Sequence, residues 1–159
     1  MMKAILLTAV VFALVSPVVA QSNKEEVDLV QSVFGMEKKA LVAQFIKPEE
    51  GPGKDAFWAA YDEYEIKRKE LGKKRLALLY KYTSNYLTLD DVSGDKIINE
   101  TIALQGQTDK LIATYYKKIK KGSGVKVAAQ FYQFENYVLS KIREEIMEGI
   151  PLIGEFDKD

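Results

Sequence analysis

Residues 125–148 read VKVAAQFYQFENYVLSKIREEIME, and their apolar positions recur at intervals of three and four. This spacing places the large apolar side chains on one face of a helix with 3.6 residues per turn. The face consists of Val127, Phe131, Phe134, Val138, Ile142 and Ile146. The stretch therefore predicts an amphipathic helix that packs against a partner through this face.

Three earlier segments show the same periodicity. They are residues 24–46, 55–87 and 89–121. Two of the breaks between segments are rich in glycine with proline or serine, at residues 47–53 and 122–124. A weaker boundary lies near Thr88, where Asp91 three residues later resembles an acidic variant of a capping box. No segment shows sustained strand alternation bounded by hairpin turns.

The predicted fold class is all-α, with four long helices in an antiparallel bundle or an elongated helical hairpin. Gly35 weakens the middle of the first helix. The apolar faces are broader than a coiled-coil seam, which favours a compact or partly open bundle. After Pro151 we expect a short, frayed tail.

The first twenty residues have the layout of a secretory signal peptide. Lys3 precedes an apolar run over residues 4–15, and small residues end at Ala20. A membrane anchor is the alternative, but a helix of twelve residues spans roughly 18 Å, too short for a hydrocarbon core of ~30 Å. We expect cleavage after Ala20, a single helical domain over residues 21–159, and a periplasmic or secreted protein that does not span a membrane.

Composition excludes several classes of function. Without residues 1–20 the chain has 22 basic and 23 acidic side chains, whereas a general nucleic-acid binder shows a marked basic excess. The chain has no Cys and no His, so Cys/His zinc sites, Ser-His-Asp triads and Cys-His pairs cannot form. Asp62, Glu63 and Glu65 fall within one helical turn and point in different directions, which makes a poor acid/base pair. We expect no enzyme, no cofactor and no metal site.

A buried charge is predicted on the last helix. Glu135 lies between Phe131 and Val138 at helical spacings, so it needs a partner. Arg68 and Arg75 lie on or beside the apolar face of the second helix, and we expect Glu135 to pair with one of them. The alternative is that an arginine binds a carboxylate or phosphate ligand.

Two sets of side chains are candidates for a binding surface. Lysines crowd the middle of the second helix, where they form a solvated face or contact anionic lipid headgroups or acidic polymers. Tyrosines off the apolar faces suit protein contacts. The two sets are Lys67, Lys69, Lys73 and Lys74, and Tyr80, Tyr132 and Tyr137.

Three stretches within residues 56–153 resemble a group of small exported bacterial helical proteins, which are mostly uncharacterised. They are FWxxYDEY at residues 57–64, KVAAQFYQFEN at residues 126–136 and IPL at residues 150–152. The group is similar to the periplasmic Spy/CpxP-like proteins. Those form helical hairpins that associate into cradle-shaped dimers and act as envelope-stress sensors or chaperones.

The resemblance implies a non-enzymatic periplasmic protein that binds a protein partner or an unfolded client, and a homodimer. The Leu-Thr-x-x-Gln repeat of the Spy/CpxP-like proteins is not kept, because residues 87–91 read LTLDD and have no second copy. The alternative function is a module that binds anionic envelope material through the basic face of the second helix.

Overall fold

The computed structural model describes residues 34–155, and every regular element in this part is helical. The helices are α1 (Lys38–Phe45), α2 (Pro52–Asn85), α3 (Asp91–Ser123) and α4 (Val125–Gly149), with a 3-10 turn at Tyr86–Thr88. The predicted all-α bundle is confirmed. No helix in this part is both long and apolar enough to cross a membrane. The predicted signal peptide, residues 1–20, lies outside the described residues.

The first predicted helix is interrupted at Gly35. Its φ is +68°, a left-handed conformation that favours glycine and ends helices. α1 therefore begins only at Lys38 and has 8 residues. The prediction of one continuous helix across Gly35 was wrong, and the part of that segment before residue 34 lies outside the description.

A capping box starts α3. The Ser93 backbone N–H donates to Asp90 Oδ1 at 2.8 Å, and the Asp90 N–H donates to Ser93 Oγ at 3.1 Å. Two donors that the helix leaves free are satisfied in this way. The sequence predicted this boundary near Thr88, and the N-cap residue in the structure is Asp90, two positions later.

α3 and α4 are separated by Gly124 alone, with φ +89° and ψ 167°. A residue with a β-carbon rarely adopts this conformation. The chain reverses within one residue, and this reversal places α4 beside α3.

α2 and α3 are antiparallel neighbours. Ser123 Oγ donates to the Gly53 carbonyl at 2.7 Å, near the start of α2 and the end of α3. Lys81 Nζ lies 3.3 Å from Glu100 Oε2 near the opposite ends of the two helices. Residue numbers therefore rise along one helix as they fall along the other.

The main hydrophobic core lies where α1 packs against the long helices. Its members are Leu41, Val42, Ile46, Phe57, Ala60, Tyr61, Tyr64, Ile112, Tyr115, Ile119, Val127, Ala128, Phe131, Phe134, Val138, Leu139 and Ile142. Eight residues make α1 about 12 Å long, whereas the 34 residues of α2 span about 51 Å. α1 thus covers only part of the bundle. We call the part beyond it, residues 71–105 and 143–153, the three-helix end.

Candidate functional site

A buried carboxylate links α4 to two other helices. Glu135 Oε2 accepts hydrogen bonds from Lys38 Nζ on α1 and from the Tyr64 hydroxyl on α2, each at 2.7 Å. Glu135 is fully buried. Burial raises the pKa of Tyr64 well above its usual value, and the negative charge of Glu135 acts in the same direction. Tyr64 therefore stays protonated and remains a donor.

Glu65 extends this arrangement along α2. Its Oε1 accepts from Lys38 Nζ at 2.7 Å and from Arg68 Nε at 2.8 Å, and its Oε2 accepts from Arg68 Nη2 at 3.1 Å. Burial would raise the pKa of Glu65, but the charges of Lys38 and Arg68 outweigh it and lower the pKa to about 2. A carboxyl that stays ionised at neutral pH is a poor general acid.

The four charged residues Lys38, Glu65, Arg68 and Glu135, which we call the core charge network, balance to zero net charge. The ammonium of Lys38 also lies 5.2 Å from the centre of the Tyr64 ring. Pairing of opposite charges is what allows ions into a low-dielectric core. The second carboxylate oxygen of Glu135, Oε1, is buried without a hydrogen-bond partner among the described residues. The network is a structural device that joins α1, α2 and α4.

The predicted partner of Glu135 needs correction. Glu135 is buried as predicted, but its ion-pair partner among the described residues is Lys38, and Arg68 connects to it only through Glu65 and Lys38. Arg75 lies further along α2, beside a cleft at the three-helix end.

The sequence contains a signal for Lys38 that the prediction missed. Lys38 precedes Leu41 by three positions and Val42 by four, so it fills a gap in the apolar face at the start of α1. Glu135 fills the same kind of gap between Phe131 and Val138 on α4. Two opposite charges at matched gaps in two apolar faces indicate a buried pair.

The basic face of α2 is partly neutralised by acids on the same helix. Lys73 Nζ lies 2.8 Å from Glu70 Oε1, and Lys67 Nζ lies 3.6 Å from Glu63 Oε1. Glu63 also pairs with a lysine of α3. The two remaining members of the predicted set, Lys69 and Lys74, are exposed. The local positive potential is thus weaker than the count of lysines suggests.

The three predicted tyrosines are all exposed, but they do not form one surface. The Tyr132 ring packs on Tyr116 of α3 with centroids 6.1 Å apart, whereas the Tyr137 ring packs on Phe34 at 5.9 Å. Tyr80 lies on α2. The tyrosines therefore do not form a single binding site together.

An apolar cleft of about 500 Å³, which we call the distal cleft, opens at the three-helix end. Its volume falls within the roughly 300–1,000 Å³ of typical ligand sites. Most of its lining is aliphatic, drawn from α2, α3, α4 and the tail: Leu78, Leu79, Tyr82, Ile97, Ile98, Leu104, Ile146, Met147, Ile150, Pro151, Leu152 and Ile153. Thr101, Gln105, Arg75 and Arg143 add the polar groups.

The C-terminal tail forms one wall of the distal cleft. The Tyr82 hydroxyl donates to the Pro151 carbonyl at 2.6 Å, and the Tyr86 hydroxyl donates to the Leu152 carbonyl at 2.7 Å. The Leu152 N–H donates to Glu155 Oε2. The expected frayed tail is therefore held at Pro151 and Leu152, against the end of α2 and the 3-10 turn, and residues 153–155 form a turn of their own.

Ile98 and Thr101 lie at helical spacings from Ile97 and Leu104 and so continue the apolar periodicity of α3, but both are exposed and line the distal cleft. Periodicity predicts which face is apolar, but it does not predict how far a neighbouring helix reaches. In the described part of the chain, this part of the α3 face is exposed at the distal cleft.

Comparisons of the chain with protein-family models, with curated proteins and with solved structures find no match. The resemblance to the Spy/CpxP-like proteins therefore stays a prediction. Among residues 34–155, no group of three or more Asp or Glu side chains is placed to hold a metal ion.

Proposed function

We propose that this chain is an exported, non-enzymatic helical protein of the cell envelope that binds apolar segments of other proteins in the distal cleft. The observation that carries the proposal is the cleft, an open site of about 500 Å³ with a mostly aliphatic lining. Apolar surface gains free energy when it leaves water, at roughly 25 cal/mol per Å². A folded chain that leaves such a site open is suited to cover it with a partner.

The apolar surface extends beyond the cleft. Ile98 and Met147 line the cleft and are 44% and 54% exposed. Ile102, one helical turn from Ile98, is 64% exposed. A small ligand would fill the cleft and leave Ile102 in water, whereas a polypeptide segment can cover both. This favours a protein partner.

The placement of the buried acids supports a role without catalysis. Glu65 and Glu135 are bonded to Lys38 in the core charge network. Within the described residues the lining of the distal cleft contains no Asp or Glu. The chain has no His or Cys, and the hydroxyl of Tyr82 in the lining is bonded to the Pro151 carbonyl.

The proposals that the chain is exported and that it binds a protein partner are supported by the sequence. Residues 1–20 have the layout of a signal peptide. The stretches at residues 57–64 and 126–136 resemble small exported helical proteins, which are similar to the Spy/CpxP-like chaperones and sensors. A homodimer belongs to the same proposal.

Binding of anionic envelope material through the basic face of α2 is the second candidate. The acids Glu63 and Glu70 weaken it, because they pair with Lys67 and Lys73. The dependence of binding on ionic strength distinguishes the two candidate functions. Binding to anionic vesicles would fall steeply from low to physiological ionic strength, whereas binding through apolar contacts would persist.

The test is suppression of aggregation of an unrelated, chemically denatured protein by the purified chain. We expect suppression, and we expect its loss in Ile98→Gln and Met147→Gln, which make the exposed cleft lining polar. Val125→Gln is the matched control, because Val125 is 59% exposed at the other end of α4. Equal activity of all three variants, or no activity in the parent, would overturn the proposal.

A further inference from the structure

The C-terminal tail meets the distal cleft through its backbone and not through buried side chains. The Pro151 carbonyl accepts from the Tyr82 hydroxyl at 2.6 Å, and the next carbonyl along the tail accepts from the Tyr86 hydroxyl at 2.7 Å. Leu152 lines the cleft but is 60% exposed, and no residue from 150 to 155 is buried. The contacts that hold the tail are therefore contacts that another extended segment can make.

From this arrangement we infer that the tail is a built-in competitor for the distal cleft. A partner binds there as an extended apolar segment that displaces the tail. The main-chain carbonyls of this segment then accept from Tyr82 and Tyr86 in place of the tail's carbonyls. The inference rests on the proposed function and adds the conformation of the bound segment and the regulation of the site.

Tyr82 requires an acceptor from whatever occupies this part of the cleft. Its side chain is 8% exposed, and its hydroxyl donates to the tail. Burial raises the pKa of Tyr82, so the hydroxyl stays protonated. A buried hydroxyl without an acceptor is unfavourable, so a segment that replaces the tail and excludes water has to supply one. A peptide carbonyl does so whatever side chain accompanies it, which suits a site that binds many sequences.

The need for free carbonyls favours an extended partner over a helical one. Within a helix, all carbonyls but the last four already accept from backbone N–H groups. An extended segment outside a sheet has carbonyls that are free to accept. The tail has the matching conformation, since Ile150 has φ −125° and ψ 145°, and a following proline favours this backbone. Proline also restricts the unbound segment, which reduces the entropy lost on binding.

The covalent connection allows a weakly held tail to compete. A segment on a short tether has an effective concentration in the millimolar range. The tail is tethered closely, because α4 ends at Gly149 and Pro151 is already bonded to Tyr82. A free partner binds only those molecules whose tail is displaced, so its apparent Kd rises as their fraction falls.

Fluorescence anisotropy on the full chain tests the inference, with a labelled, amidated peptide of the tail's own sequence, IPLIGE. Leu152→Ser combined with Ile153→Ser weakens the apolar contacts of the tail and keeps its length. We expect this variant to bind the peptide about tenfold more tightly than the parent, the factor for a tail that is in place about nine tenths of the time.

Ile66→Ser combined with Val125→Ser is the matched control. It removes apolar side chains that are 68% and 59% exposed, close to the exposure of Leu152, and neither lines the distal cleft. This control variant should bind the peptide as the parent does. Equal tightening in both double variants would overturn the inference.

The contribution of the Tyr82 hydroxyl is measured in the chain with Leu152→Ser and Ile153→Ser, where loss of the tail contact does not offset loss of the partner contact. Tyr82→Phe should weaken peptide binding there about two- to twelvefold, the range for one net hydrogen bond. Tyr80→Phe, on the same helix but outside the cleft lining, should leave binding unchanged. Equal binding by the two variants would contradict recognition of the main chain.

The outcomes separate the inference from the proposed function. If Leu152→Ser with Ile153→Ser binds the peptide no better than the parent, the tail is only a wall of the cleft and the inference fails. The proposed function then stands as long as the parent suppresses aggregation and Ile98→Gln abolishes that activity. If neither chain binds the peptide, the inference fails, and if the parent also does not suppress aggregation, the proposed function fails as well.

Discussion

The Lys38 ammonium donates to the Glu135 carboxylate across 97 positions of sequence, with 2.7 Å between Nζ and Oε2. The Lys38 side chain is 7% exposed and that of Glu135 is 1% exposed. Desolvating either charge alone costs several kcal/mol. Each charge is therefore stabilised by the other, and their pairing allows Lys38 of α1 to face the core.

Glu135→Gln tests how much the buried charge of Glu135 contributes to the free energy of unfolding. The amide keeps an acceptor for Tyr64 but leaves Lys38 with Glu65 as its only carboxylate among the described residues. We expect the free energy of unfolding to fall by about 1.5–3 kcal/mol, the range for hydrogen bonds to charged groups. Urea denaturation measures it. Glu148→Gln, on the same helix but exposed, should change it little; similar values for both variants would contradict a buried pair.

Replacing both Lys38 and Glu135 by apolar residues should lower the free energy of unfolding less than replacing Lys38 alone. Lys38→Met alone leaves Glu135 buried without its cation, and we expect a loss of about 3–5 kcal/mol. Lys38→Met combined with Glu135→Leu removes both charges and leaves the Glu65–Arg68 pair in place. We expect the double variant to recover most of the lost stability, as a double-mutant cycle measures. Additive losses would mean that the two residues are not coupled.

Stability should fall in acid because of Glu65. Its pKa is about 2 in the folded chain, against an ordinary value of 4.5. Since the folded-state value is the lower one, the stabilisation is fully present above pH 4.5 and is lost as the pH falls towards 2. The shift corresponds to on the order of 3 kcal/mol. The free energy of unfolding, measured across this window, should decline less steeply in Glu65→Gln than in the parent. Parallel curves for the two proteins would contradict a stabilising role of ionised Glu65.

Substitution by alanine should lower stability at Gly124 and raise it at Gly106. Gly124→Ala forces a β-carbon into a backbone conformation at φ +89° and should cost about 1–3 kcal/mol. Gly106 lies within α3, where an added β-carbon meets nothing within 4 Å. Gly106→Ala should therefore raise stability by about 0.5–1 kcal/mol. Thermal denaturation of the two variants checks both signs.

Sequence periodicity predicted the long helices within a few residues because glycine and proline mark most of their ends and a capping box begins α3. The fourth was expected over residues 125–148 and is Val125–Gly149. The burial of Glu135 also follows from its position between Phe131 and Val138. These are local properties, set by spacing along one helix.

The parts that the sequence did not predict depend on contacts between elements. Choosing Lys38 over Arg68 or Arg75 as the partner of Glu135 would have required knowing which face of α1 packs on α4. Ile98 and Thr101 continue the apolar periodicity of α3, but both are exposed, because spacing along one helix does not show which of its turns a neighbouring helix covers.

The single-residue reversal at Gly124 and the short turn before α3 also have a consequence for folding kinetics. Neighbouring helices joined by short turns form mainly local contacts, and such topologies fold fast. α1 is different, since it closes the long loop between Lys38 and Glu135. We therefore expect α2, α3 and α4 to assemble first and α1 to dock late. Lys38→Met should then accelerate unfolding and leave the refolding rate nearly unchanged, as stopped-flow measurements can establish.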